Sequence, residues 1–205
     1  MAMPNRRAFL ISYFSLMVPV LAGPAAAQGA GDRAAAFVKS TADRILGAMR
    51  GGGTVEDRRR VIGPIIDKAI DVDGIARFCL GRFWRTASPD QQKRYTELFH
   101  QVLIGNITSK LGEYQEVRLT VGRSQPRDDS DVVSTTIERS NNPPTTVEWV
   151  VSDAARDPKV IDVIAEGTSL RLTQRSDYAA YLTRNNNDVD ALINAMRQQL
   201  AQPNG

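Results

Sequence analysis

The chain has one cysteine and one histidine in 205 residues, and both scarcities narrow its chemistry. Cys79 has no second cysteine to form an internal disulfide, so in an exported protein it must be buried or joined to another chain. Its setting between Phe78 and Leu80 favours a buried, inert thiol. His100 has no second histidine with which to build a zinc site, and no motif couples it to a serine nucleophile. It lies beside Phe99, at the edge of a helical apolar stripe, where a boundary histidine is the plain reading. A Cys79–His100 nucleophile pair would need a strained turn at the cysteine, and none is signalled. There is no glycine-rich phosphate loop. Beyond Leu21 no apolar run is long enough to span a bilayer. The formal net charge is +3. Arg6 and Arg7 fall in the N-terminal segment, which carries no acid, so the rest of the chain has 24 basic residues against 23 acidic ones. That balance removes the domain-wide positive field expected of a nucleic-acid binder.

What is present begins with an export signal. Arg6 and Arg7 precede an apolar run, Phe9–Leu21, and the segment closes on Ala25-Ala26-Ala27 before Gln28. This predicts a secretory signal peptide over residues 1–27, cleaved near Ala27. Asn5-Arg6-Arg7-Ala8-Phe9-Leu10 suits twin-arginine export as well as the Sec route. No cysteine follows the cleavage point, so a lipid anchor there is not expected. Residues 28–200 are expected to form one domain and 201–205 a disordered tail.

The first part of that domain has helical periodicity. Phe37, Val38, Thr41, Ile45, Leu46 and Met49 predict a helix over Asp32–Met49, ended by Gly51-Gly52-Gly53. Thr54 and Asp57 form a loose capping box for a second helix. Its stripe is Val61, Ile62, Ile65, Ile66 and Ala69, and Pro64 is expected to kink or split it. Val72–Phe83 reads as a short helix weakened by Gly74 and Gly81. The strongest local signal is the next one. Ser88 as N-cap, Pro89 at the first helical position and Gln91 completing a capping box launch a helix to about Leu111.

From Tyr114 the period changes to two. Val117, Leu119 and Val121, then Val133, Thr135 and Ile137, then Val147, Trp149 and Val151 alternate with polar neighbours. Turn clusters are expected at Gln125–Asp131 and Ser140–Pro144. Lys159–Glu166 reads as a fourth strand broken by Gly167, and Ser169–Leu182 as extended chain passing into helix. Asp188–Leu200 reads as a closing helix. The predicted class is α+β, with helices on a four-stranded antiparallel sheet.

Two polar groupings invite functional readings. Asp162 interrupts the apolar run Val160–Ile164, and a buried carboxylate there needs a partner such as Arg77, Arg82, Arg85, Arg171 or Arg175. It is either a structural ion pair or a general acid or base in a cavity. Arg77, Arg82 and Arg85 with Trp84 allow a protein-docking surface, a contact for anionic headgroups, or scaffold pairing with Asp71, Asp73 or Asp90.

Two blocks carry a resemblance. The first is Asp71, Ile75, Ala76, Arg77, Leu80, Gly81, Arg82, Phe83, Trp84 and Arg85, followed by Pro89, Asp90 and Gln91. The second is Lys159, Val160, Asp162, Val163, Glu166, Gly167, Ser169 and Arg175. In register, they resemble the MlaC family of periplasmic phospholipid-binding proteins, the toluene-tolerance auxiliaries of ABC transporters. The likeness runs from about Phe37 to Leu200. Val72 stands where the family commonly has Phe, Asp157-Pro158 where Gly and an aromatic often precede the Lys, and the usual Tyr near Asn106 is missing.

The resemblance implies a soluble periplasmic carrier with a cone-shaped fold of the nuclear-transport-factor-2-like kind enclosing an apolar cavity. Its cargo would be a diacyl phospholipid, with no cofactor and no catalysis. Its partners would be an inner-membrane ABC transporter with an MCE-domain subunit and an outer-membrane lipoprotein complex, in a system maintaining outer-membrane lipid asymmetry. A hopanoid-carrying paralogue is the alternative cargo, and a small isomerase or hydratase using Asp162 the alternative class. An acyl tail of ~15 methylenes left in water forfeits ~12 kcal/mol, so a carrier must enclose it. The expected lining is Phe99, Leu103, Ile107 and Leu111 of the long helix, facing Val117, Leu119, Val121, Val133, Ile137, Val147, Trp149 and Val151 of the sheet. Arg82, Trp84 and Arg85 are the expected docking residues.

Overall fold

The computed structural model describes residues 24–50, 53–111, 117–139, 142–154 and 156–201. Most of the expected signal segment, and the residues after Ala201, lie outside them. The first helix, α1 (Pro24–Arg50), starts earlier than its apolar stripe suggested. Pro24 holds the first helical position and an alanine run follows, both favourable to a helix start. The expected cleavage after Ala27 therefore falls in the first turn of α1.

Helix α2 (Val55–Ala69) begins on the expected box. Thr54 Oγ1 accepts from Asp57 N at 3.1 Å, and Asp57 Oδ2 accepts from Thr54 N at 3.0 Å. The helix runs unbroken through Pro64, which faces solvent, so the expected split does not occur. Val61, expected in the apolar stripe, is exposed. Asp71 then caps α3 (Val72–Leu80) by accepting from Gly74 N. Gly81, at φ 60°, ends α3 and opens a 3-10 turn, Gly81–Arg85, so the helix does not reach Phe83. Helix α4 (Pro89–Leu111) carries both halves of its capping box, with Ser88 N donating to Gln91 Oε1 at 2.9 Å and Gln91 N to Ser88 Oγ at 3.2 Å.

Strands β1 (Val117–Arg127), β2 (Ser130–Arg139), β3 (Asn142–Ser152), β4 (Lys159–Ala165) and β5 (Thr168–Ser169) form an antiparallel meander in sequence order. The sheet has five strands where four were expected. Glu166 and Gly167, both at positive φ, turn the chain tightly enough for Thr168–Ser169 to pair back on β4. The turn clusters are also shorter than expected. Gln125–Arg127 remain in β1, and only Asp128-Asp129 separate them from β2. Asn142, Pro143 and Pro144 lie in β3, beside a register shift in β2 and before β4 pairing begins at Val147, so prolines cost few ladder bonds there. A bulge after Val121 is built on Gly122, where a Cβ would stand 3.2 Å from the Ser134 carbonyl oxygen. Helices α5 (Leu170–Arg184) and α6 (Val189–Ala201) close the chain.

Register decides what covers the sheet. Leu119 opposes Ile137, Thr135 opposes Val147, and Val133 opposes Trp149, so the alternating apolar residues share one face, as expected. The helix on that face is α1. Ala34 and Val38, with Ala35 and Phe37, pack on Val121, Val133, Trp149 and Val151. This corrects the expected pairing of the long helix with the sheet. Helix α4 packs instead with α2, α3 and α6. Tyr95, Phe99 and Val102 join α3, α5 and α6 in the main helical core, while Ile104 and Ile107 meet Met49, Ile62 and Ile66 of α1 and α2.

Candidate functional site

Two regions carry the expected functional residues. The first is the apolar sheet face. At one end, α1 buries Val133 and Val151 completely. Trp149 is held across the strands, its Nε1 donating to Thr135 Oγ1 at 2.9 Å and that hydroxyl donating to the Val147 carbonyl at 2.9 Å. At the other end Val117, Leu119 and Ile137 stay half-buried. On the helical side Ile45, Leu46, Ile104 and Ile107 are also only partly buried around the α1–α2–α4 cluster. The expected lining is therefore divided. Phe99 is buried against Tyr95 and Tyr178, with ring centroids 5.9 and 6.5 Å away, and Leu103 packs on that same core. Ile107 turns to the α1–α2 cluster. Leu111 ends α4.

The second region is an open cleft of about 480 Å³ where α3, the 3-10 turn and α5 meet. Its wall includes Arg77, Arg82, Arg85 and Arg175 with Phe78 and Trp84. The Arg77 guanidinium lies 5.7 Å from the Trp84 ring centroid, and Arg175 lies 4.8 Å from that of Phe78. Gly81 makes this possible. A Cβ there would stand 3.2 Å from Arg175 Nε, so the glycine of the sequence block leaves room for an arginine ~94 positions away. The anticipated pairing of these arginines with Asp71, Asp73 or Asp90 does not form. Asp71 caps α3, and Asp90 pairs with Arg94 at 2.7 Å. Among the described residues none of the four arginines makes an ion pair or a side-chain hydrogen bond. Of the residues singled out in sequence, Arg175 belongs to this cleft although the motif block alone placed it elsewhere.

The polar candidates for chemistry are occupied. Asp162 is 5% exposed. It accepts from Ser169 Oγ at 2.6 Å, Val163 N at 2.8 Å and Arg171 N at 3.2 Å, and lies 3.4 Å from Arg171 Nε. Ser169 is also the N-cap of α5, so the carboxylate pins the first turn of α5 to β4. His100 Nε2 is paired with Asp67, linking α4 to α2 at the surface. Cys79 is buried, with its Sγ 3.6 Å from the Arg171 carbonyl. Burial first, then the nearby Asp162 charge, pushes its thiol up to about 12, which leaves it protonated and unreactive. No group of three metal-ligating side chains occurs among the described residues.

Comparison with known proteins gives a consistent assignment. Residues 39–198 match the family model described as MlaC protein. The toluene tolerance protein ttg2D of Pseudomonas putida is 26% identical over 145 residues, which cover 70% of this chain and 66% of that protein. The structure of a phospholipid-binding protein from Ralstonia solanacearum, solved in complex with a phospholipid, superposes with a TM-score of 0.73. The two are 23% identical, and the match covers 82% of this chain and 99% of the other, so this chain contains nearly the whole of that fold.

Proposed function

The chain belongs to the MlaC family, and from that premise we propose that it is a periplasmic phospholipid shuttle of an ABC-type lipid transport system that maintains outer-membrane lipid asymmetry. One observation carries the reading most directly. The sheet face bearing Leu119, Val121, Ile137 and Trp149 is apolar, yet α1 covers only one end of it. Leaving such a face half-covered is unfavourable by about 25 cal/mol per Å² unless something apolar completes it. Acyl tails do so, and each gains back ~0.8 kcal/mol per methylene withdrawn from water. The fold shared with a protein solved in complex with phospholipid supports the same cargo.

The lining narrows accordingly. Val117, Leu119 and Ile137, with the neighbouring Val121 and Trp149, are the tail-facing surface, and Ile45, Leu46, Ile104 and Ile107 form the opposite wall. Val133, Val147 and Val151 back it from within the core. Phe99 and Leu103 support α4 rather than touch cargo. Transfer is binding and release, with handover at a docking surface that includes Arg82, Trp84 and Arg85. The partners are an inner-membrane transporter carrying an MCE-domain subunit and an outer-membrane lipoprotein complex. A cavity isomerase has no free carboxylate at Asp162, whose oxygens already receive three hydrogen bonds.

Native mass spectrometry of the purified protein tests the cargo. Bound diacyl phospholipid is expected, and Leu119→Trp/Ile137→Trp should reduce it several-fold while the fold persists by circular dichroism. A hopanoid in its place would overturn the phospholipid assignment. An empty protein that takes up no lipid from vesicles would overturn the carrier reading.

A further inference from the structure

The elements that form the arginine cleft leave the sheet at its β4 edge, where Asp71 N bonds the Val160 carbonyl and β5 precedes α5, whereas the proposed tail surface is centred on β1 and β2. Asp162 opposes Val150, while its neighbour Val163 opposes Trp149, so Asp162 points away from the face that carries Trp149. Asp162 holds the first turn of α5 on that opposite side, and Cys79 of α3 meets the same turn at the Arg171 carbonyl. The α3–α5 corner is therefore anchored on β4, two strands from Ile137 of β2 and three from Leu119 of β1.

The cleft is chemically suited to an anionic occupant. Four guanidiniums gather there without carboxylate partners, in a chain whose charge is otherwise nearly balanced after the export signal. Arg77 and Arg175 lie within cation–π range of Trp84 and Phe78, and their N–H groups have no side-chain acceptor among the described residues and can meet oxyanions. The first turn of α5 adds an exposed apolar side chain. Leu172 is 56% exposed and lies three residues from Arg175, on the same side of α5. A bare phosphate has no use for an exposed leucine, whereas a protein segment has. We propose that this cleft is the docking site for an acidic segment of a partner protein, whose carboxylates meet Arg77, Arg82, Arg85 and Arg175 and whose apolar side chain covers Leu172 or Trp84. This rests on the shuttle reading, and it supplies the chemistry of the partner at the docking surface named there. Pairs of this kind act chiefly on encounter rate and register, which suits a carrier that must dock and leave.

The test uses a short fluorescein-labelled peptide rich in Glu and Leu, a control with Gln for Glu, inorganic phosphate, and phosphatidylglycerol vesicles. The Glu peptide should raise fluorescence anisotropy with the full protein, and the Gln peptide should not. Arg82→Gln/Arg85→Gln, and separately Arg175→Gln, should weaken it by roughly tenfold, as should high salt. Bound lipid, read by native mass spectrometry, should be unchanged in both variants. No peptide binding overturns the proposal. So does displacement of the peptide by micromolar phosphate, which would mark a small-anion site. Binding of the anionic vesicles without the peptide would assign the cleft to a membrane surface, and joint loss of peptide and lipid would return it to the cargo site. Lipid missing from wild type with peptide binding intact would instead sink the shuttle reading and leave the cleft assignment standing.

Discussion

Replacing Asp162 by alanine should cost far more than removing any exposed charge on this protein. The side chain accepts three hydrogen bonds, from Ser169 Oγ, Val163 N and Arg171 N, and neutralises Arg171 at 3.4 Å. Alanine leaves a hydroxyl and two N–H groups without their acceptor and a guanidinium without its counter-ion. Each unsatisfied buried group costs about 1–3 kcal/mol, and breaking a buried ion pair from one side costs about 3–5 kcal/mol. The Arg171 side chain is 29% exposed, so water recovers part of its solvation. The expected loss is therefore near the lower end, about 3 kcal/mol. With a urea slope of about 2 kcal/mol/M, the unfolding midpoint should fall by about 1.5 M. Asp162→Asn keeps one acceptor oxygen and should lose about half as much. A double-mutant cycle with Arg171→Ala should show coupling of about 1 kcal/mol or more. The assay is equilibrium unfolding followed by circular dichroism, with bound lipid measured in parallel. A loss below about 1 kcal/mol for Asp162→Ala would refute the pinning role. Intact stability with lost turnover of a carbonyl substrate would instead make it a catalytic base.

The buried thiol predicts a pH dependence. Its pKa rises from 9.0 to about 12 on folding, so the stabilisation it reflects is complete below pH 9 and is lost between pH 9 and about 12, as the unfolded thiol ionises first. Cys79→Ala should flatten that part of a stability–pH curve, and the wild-type thiol should resist thiol reagents at pH 8 until urea is added. At the start of α4, Ser88→Ala should cost about 1 kcal/mol by thermal unfolding, and Gln91→Ala should add a separate loss, because each removes a different half of the capping box.

Local features were readable wherever a few neighbouring residues determine them. The caps at Thr54 and Ser88 hold because each side chain bonds to a backbone group three residues away. Strand parity was readable because the pleat alternates strictly, so Leu119, Val133 and Trp149 had to share a face. Errors arose where distant chain intervenes. Pro143 and Pro144 look like a turn, but a register shift in β2 and the late start of β4 admit them to β3. Val61 fits a helical stripe, yet no described residue comes to cover it. The amphipathic face of α4 was evident, but an apolar stripe does not specify which surface it meets, and α1 took the sheet while α4 took α2, α3 and α6.

Sequence alone was enough for the family, for the α+β class, for the inert cysteine and for the buried aspartate that would need donors. Each depends on residue identity at short range or on a pattern long enough to be specific. The placement of function came from the third dimension. Only the pairing of Ile70 and β5 on β4 brings α3 and α5 together at one edge of the sheet, strands away from the half-covered apolar face on β1 and β2. Only the close approach of α5 to Gly81 brings Arg175 beside Arg77, Arg82 and Arg85. The physical reason is that side chains on different elements become neighbours through packing, and packing is a property of the whole chain rather than of any window within it.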